Sequence, residues 1–212
     1  MRKTLRAYDK LLQAGKVRAI GASNYDADQL SAAMKAAQAK NLPAYQVLQP
    51  EYNLYDRDAY DGALRDLCIN EELGVVTYYS LASGFLSGKY RSEADLGKSQ
   101  RGKGVAKYLD KRGLAILKAL DAVAARHQAK PAEIALAWLM AREGVTAPIA
   151  SATSVAQVES FARAANLTLT SEDAFELDSA SVSLREGQRG VASVRKLTLS
   201  SLVSKPAKPK WN

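Results

Sequence analysis

The amino-acid sequence predicts a parallel α/β architecture, on three observations. Short apolar runs of strand length alternate with amphipathic segments of helix length across residues 1–182, the order that builds successive βα units. The run Val75-Val76-Thr77-Tyr78-Tyr79 is β-rich and continuous rather than alternating, as a strand buried on both faces should be. No internal repeat is superimposed on the β/α alternation.

In chain order, residues 4–14 read as a helix with Leu5, Tyr8, Leu11 and Leu12 on one face and Gly15 as its stop. Residues 17–21 form a short strand, followed by a polar turn at Ser23-Asn24. Asp26 with Gln29 makes a capping box for a helix to about Lys40. The next strand spans 44–48, and a helix over 57–72 carries Tyr60, Leu64, Leu67 and Cys68 at helical spacing before Gly74 ends it. After the strand at 75–79, residues 81–110 are rich in Gly, Ser, Lys and Arg, and a loop of that length is expected to be functional or mobile. Helices follow at 111–127 and 131–143, the second with Pro131 at its first position. A last strand at 146–150 leads to a capping box of Ser154 with Gln157, then to a cap of Thr170 with Asp173 on a helix ending near Ala180. Four parallel strands make either an open sheet or half of a closed (β/α)8 barrel, and composition alone does not choose.

At 212 residues, 47% hydrophobic and 25% charged, the chain has the balance of a soluble globular protein. No stretch approaches the ~20 consecutive apolar residues of a membrane span, and the first residues lead into a charged amphipathic helix, so a cytoplasmic location with no membrane partner is expected. The single cysteine, Cys68, excludes an intramolecular disulfide. With one histidine beside it, the usual Cys/His zinc site cannot be built and no metal is expected. The net charge of +8 is concentrated after Ser183, where seven basic residues face Glu186 alone, leaving the preceding 182 residues with +2. Residues 183–212 therefore read as a basic, Ser-rich, disordered tail, and without an aromatic stripe the charge does not point to nucleic acid.

Three segments carry more specific information: Gly15-Lys16-Val17-Arg18-Ala19-Ile20-Gly21-Ala22-Ser23-Asn24, Gln46-Val47-Leu48-Gln49-Pro50-Glu51-Tyr52-Asn53, and Tyr79-Ser80-Leu81-Ala82-Ser83-Gly84-Phe85-Leu86-Ser87-Gly88-Lys89-Tyr90. In order and spacing they resemble three successive motifs of the aldo-keto reductases, and Pro148-Ile149-Ala150-Ser151-Ala152-Thr153-Ser154 with Gln157 is similar to the segment that closes that family's barrel. The resemblance covers about residues 3–181. It implies strands five to eight of a (β/α)8 barrel, with residues 1–182 as the NADP-binding half, and an ancestral NADP-dependent carbonyl reduction.

By that resemblance, Ser23, Asn24 and Gln49 hold the nicotinamide carboxamide, and Tyr79 stacks on the ring. Ser80, Leu81, Gly84, Leu86, Gly88 and Lys89 form the pyrophosphate loop. Ser151, Ala152, Thr153 and Gln157 lie by the adenine and 2′-phosphate, at a helix amino terminus. Each has a plainer alternative: a strand-to-helix turn at Ser23-Asn24, a core aromatic at Tyr79, a solvated cation at Lys89, a capping partner at Gln157. Thr153 stands where the family often has a base, which puts NADPH over NADH in doubt and leaves Lys89 or Arg91 as substitutes.

The family's catalytic aspartate, tyrosine, lysine and histidine come from its first four strands, so the resemblance implies no catalytic residue in this sequence. His127, the lone histidine, ends a helix marked by Leu114, Leu117, Leu120 and Val123 and is expected to be solvated. The reading is thus a truncated reductase, inactive alone, completed by a separately encoded amino-terminal half or a second copy and then acting on a small-molecule carbonyl. The alternative is a non-catalytic nucleotide-binding or protein-interaction module.

Overall fold

The computed structural model describes residues 2–182, so the expected disordered tail at 183–212 lies outside the described residues. Four strands, β1 (Gly21–Ser23), β2 (Val47–Gln49), β3 (Gly74–Thr77) and β4 (Ala147–Pro148), form one parallel sheet in chain order. The register pairs Ala22 with Leu48 and Leu48 with Val75, and sets Thr77 opposite Pro148. Helices α1 (Arg2–Gln13), α2 (Ala27–Ala39), α3 (Ala63–Asn70), α5 (Lys111–Arg126), α6 (Pro131–Ala141), α7 (Val155–Ala165) and α8 (Ser171–Ser181), with the single turn α4 (Gly102–Val105), add to the core together with residues between these elements such as Tyr45, Tyr52, Leu54, Tyr60, Phe85 and Tyr90. No described helix is long and apolar enough to cross a membrane.

Local chemistry explains the helix starts. Asp26 accepts the Gln29 amide at 2.8 Å while the Gln29 side chain accepts the Asp26 amide, closing the box on α2. Asp110 caps α5 through Gly113 N–H at 2.7 Å, and Pro131 opens α6. Thr170 and Asp173 bond each other's backbone amides at the start of α8. The core centres on Trp138, packed against Tyr52 at 5.5 Å, with the Arg57 and Arg142 guanidinium groups over its ring at 5.1 and 5.0 Å.

Five expectations change. β1 sits at Gly21–Ser23 rather than 17–21, because the ladder forms only where β2 runs alongside. α3 begins at Ala63 rather than 57, since Gly62 at φ 88°, ψ −131° interrupts the helical path. The irregular stretch at 81–110 holds short 3-10 turns at Ala82–Ser87, Glu93–Lys98 and Ala106–Tyr108 around α4. β3 is not buried on both faces: Val75 and Thr77 are buried, while Gly74 and Val76 are half exposed. The sheet has one covered face, carrying Ala22, Leu48, Val75 and Thr77, and one face left open among the described residues, carrying Gly21, Ser23, Val47, Gln49 and Val76. Finally, His127 is partly buried and bonded to Asp173, because the start of α8 packs against the end of α5.

Candidate functional site

Parallel strands deliver all their carboxyl ends to one side, where side chains of the open face meet. Ser23 and Gln49 are register partners there, and Ser23 Oγ donates to the Gln49 carbonyl at 2.9 Å. Asn24 follows in the left-handed conformation, φ 58°, one that Asn tolerates better than most residues. Its Oδ1 accepts the Tyr78 hydroxyl at 2.7 Å. Tyr78 continues the alternation of β3: Thr77 points into the core, so Tyr78 shares the face of Ser23 and Gln49. A bridge between Glu51 and Tyr78 holds it in that register. Ser23, Asn24, Gln49 and Tyr78 are thus joined across three strands.

Tyr79, the ring expected to stack, leaves the strand at φ 52° and is 55% exposed, packed edge-on against Tyr78 at 5.3 Å. Its carbonyl accepts from Asn53 Nδ2 at 3.1 Å and from Ala82 N–H at 2.7 Å. Asn53 is fully buried and also accepts the Tyr55 and Asp56 amides at 2.8 Å, so it ties the turn after β2 to the turn after β3. Sequence reasoning gave Tyr78 and Asn53 no role. The signal for Tyr78 would have been strand parity, hidden by an unbroken apolar run.

The loop after β3 is tightly wound. Ala82, Ser83 and Gly84 are successively left-handed, at φ 48°, 58° and 95°. Ser80 is buried, and its hydroxyl donates to the Thr77 carbonyl at 3.0 Å, so that side chain is already committed. The amides of Gly84 and Leu86 bond the Leu81 carbonyl at 2.8 and 3.2 Å, and that of Gly88 bonds Phe85 at 3.0 Å. Leu86 is a fully buried anchor. Lys89 is exposed, folds across Gly84, where an added Cβ would meet its Nζ at 3.4 Å, and lies over the Tyr90 ring at 5.0 Å. It makes no ion pair among the described residues. Arg91 is bound bidentately to Asp121 at 2.7 and 2.8 Å and to the Gly88 carbonyl at 2.7 Å, which removes it as a free cation.

Ser151, Ala152, Thr153 and Gln157 are all exposed at the amino end of α7. The expected capping box of Ser154 with Gln157 does not form: Ser154 makes no side-chain cap bond, and Gln157 Oε1 instead accepts the Thr153 amide at 2.7 Å and its hydroxyl at 3.3 Å. This turn follows β4, the neighbour of β3, so it emerges beside the 80–89 loop, without a hydrogen bond to it among the described residues.

Acidic groups flank the strand ends. Burial, with Asp56 nearby, pushes the Glu51 carboxyl up, and burial together with Glu51 pushes the Tyr78 phenol up, so the phenol stays a donor. An open cavity of about 390 Å³ lies elsewhere, lined by His127, Glu133, Arg163 and Asn166.

Residues 1–182 match the family model described as the aldo/keto reductase family. The chain is similar to L-glyceraldehyde 3-phosphate reductase of Escherichia coli O157:H7, 29% identical over 84% of this chain and 53% of that protein. It is also similar to an NADH-specific methylglyoxal reductase of Escherichia coli K12, 27% identical over 81% and 51%. Among solved structures it resembles the thermostable aldo-keto reductase Tm1743 bound to the inhibitor epalrestat, with TM-score 0.63, 26% identity, and coverage of 84% and 53%. The chain spans about half the length of the relatives it matches.

Proposed function

The chain belongs to the aldo/keto reductase family, and from that premise we propose that residues 1–182 form the cofactor-holding half of a carbonyl reductase, corresponding to strands five to eight of a (β/α)8 barrel. The observation that carries the reading is the joined set Ser23, Asn24, Gln49 and Tyr78 on the open sheet face. That set fits a nicotinamide carboxamide, which asks for one acceptor and one donor, beside an aromatic ring.

A reduced nicotinamide, when bound, supplies the hydride. The residues here orient and hold it. Ser23, Asn24 and Gln49 fix the amide, while Tyr78, backed by Tyr79, limits the position of the ring. Lys89 faces the phosphates as a cation without an acidic partner among the described residues, and Ser151, Ala152, Thr153 and Gln157 border the adenosine end. With Thr153 uncharged and Arg91 engaged by Asp121, Lys89 is left as the basis for choosing NADP(H) over NAD(H). The proton for the carbonyl oxygen is assigned to groups outside residues 1–182, so turnover requires a complementary set of strands over the open face. A small aldehyde substrate is in keeping with the names of the relatives.

A non-catalytic nucleotide-binding module is the second reading, favoured by the same joined set, whose Ser23 and Tyr78 hydroxyls are both engaged in hydrogen bonds among the described residues. Fluorescence titration with NADPH and NADH tests both readings, since binding of neither would remove the cofactor site altogether. Sedimentation tests whether a second copy covers the open face.

A further inference from the structure

We propose that a second copy of this chain covers the open sheet face, the two copies closing one eight-stranded barrel about a twofold axis that runs along the strands. This rests on the reading of residues 1–182 as half of a barrel and names its partner, and it is independent of whether NADP(H) binds.

β1 and β4 are the two edges of the sheet, and neither has a further strand beside it among the described residues. A row of unpaired backbone groups at such an edge is a template for another chain. All four strands run parallel, so β4 of one copy continues onto β1 of the other without a reversal of direction. A half-turn repeats that junction at the opposite edge and closes the set at eight, a strand number at which side chains alone fill the interior. Twofold dimers are also the commonest symmetric assemblies.

The helices beside the two edges fit the same junction. α1 packs on α2 and α7 packs on α6, and each also carries an exposed apolar stripe. On α7 the stripe is Val155, Val158, Ala162 and Ala165, with Val155 75% and Val158 57% exposed. On α1 it is Ala7 and Leu11, continued by Ala14 just past the helix end. Ala7, Leu11 and Ala14 repeat the spacing of Val158, Ala162 and Ala165, so parallel helices lying side by side would match the two stripes turn for turn. Charge favours this pairing over a stripe meeting its own copy. Lys3 and Lys10 border the α1 stripe and Glu159 borders that of α7, all exposed and outside the ion pairs of the described residues, whereas Arg163 of α7 is engaged by Glu133. At about 100° per residue, the two lysines and Glu159 fall on the same side of a parallel α1–α7 seam. An α1–α1 or α7–α7 seam would set like charges against each other.

Sedimentation equilibrium of the full chain without nucleotide should show a dimer. Val158→Lys and Ala7→Glu each place a charge on an exposed stripe, so the fold is kept, as circular dichroism would check. Either variant alone should weaken dimerisation roughly tenfold or more, because both seams then set a charge against an apolar stripe. Mixing the two variants should restore a dimer, since one seam brings the two new charges together and the other is that of the parent. A monomeric parent, a dimer indifferent to both variants, or no recovery on mixing would each overturn the inference. A parent monomer that associates only with separately supplied strands one to four of a relative would give the face to that half instead. NADPH titration keeps the two readings apart: a dimer that binds no nucleotide removes the cofactor site alone, and a monomer that binds it removes the second copy alone.

Discussion

His127 Nε2 lies 2.7 Å from Oδ2 of Asp173, a carboxylate whose side chain is only 4% exposed. The contact ties the carboxyl end of α5 to the amino end of α8. It also removes the lone histidine from any catalytic role at the strand ends. Burial alone would raise the Asp173 carboxyl, but hydrogen bonds from His127, the Thr170 backbone and Arg126 outweigh it and hold the carboxyl well below the usual range.

Asp173→Ala should therefore destabilise the fold by about 3 kcal/mol at neutral pH, by breaking a buried hydrogen-bonded charge cluster. A carboxyl depressed in the folded state contributes stability that is present above its unfolded value, 3.8, and lost as pH falls below it. The gap between parent and variant in urea denaturation should thus narrow with increasing acidity. A gap independent of pH, or no gap at neutral pH, would contradict this.

Cys68 is 1% exposed, and burial pushes its thiol up to about 11. It should stay unreactive toward a disulfide reagent in the native state and react once unfolded, because the thiolate is the nucleophile. Stoichiometric labelling of the folded chain, faster than unfolding, would show that α3 does not pack as described.

Helices were legible in the sequence to the extent that their caps are local. Asp26 with Gln29, Pro131, and Thr170 with Asp173 each act within four residues, and α2, α6 and α8 start where these place them. Strand limits were not, since a ladder depends on a neighbour far away in sequence: β1 moved toward Ser23 because Val47–Gln49 pair there. The same blindness affected the site. In Val75-Val76-Thr77-Tyr78-Tyr79 every position is compatible with burial, so no period of two reveals which tyrosine faces the open side. Only the burial of Thr77 decides for Tyr78. Gln157 was read as a partner of Ser154 from spacing, yet it bonds Thr153.

The purified 212-residue chain should not oxidise NADPH in the presence of small aldehydes. Hydride transfer to a carbonyl requires a proton for the developing alkoxide, and the strand-end set of Ser23, Asn24, Gln49 and Tyr78 is engaged in orienting rather than donating to a substrate oxygen. Turnover that survives stringent purification and scales with chain concentration would sink this expectation and point to a proton donor within these residues.

The last prediction separates two basic residues two positions apart. Arg91 is forked onto Asp121, with both side chains nearly half exposed, at 42% and 47%. Lys89 has no acidic partner among the described residues and lies across Gly84 in the left-handed turn. A cation already paired contributes little field to an incoming phosphate, whereas an unpaired one contributes fully and is screened by salt. Lys89→Ala should weaken NADPH severalfold at low ionic strength and flatten the dependence of its affinity on salt. Arg91→Ala should change affinity less and act on local stability, by under ~1 kcal/mol for an exposed pair. Gly84→Ala would place a Cβ 3.3 Å from Lys89 Cε at φ 95°, a backbone conformation that side chains rarely adopt, so it should strain this turn while leaving the lysine charge in place. Titration at two salt concentrations decides the matter, since equal salt slopes for the parent chain and Lys89→Ala, or a larger loss from Arg91→Ala, would remove Lys89 from the phosphate site.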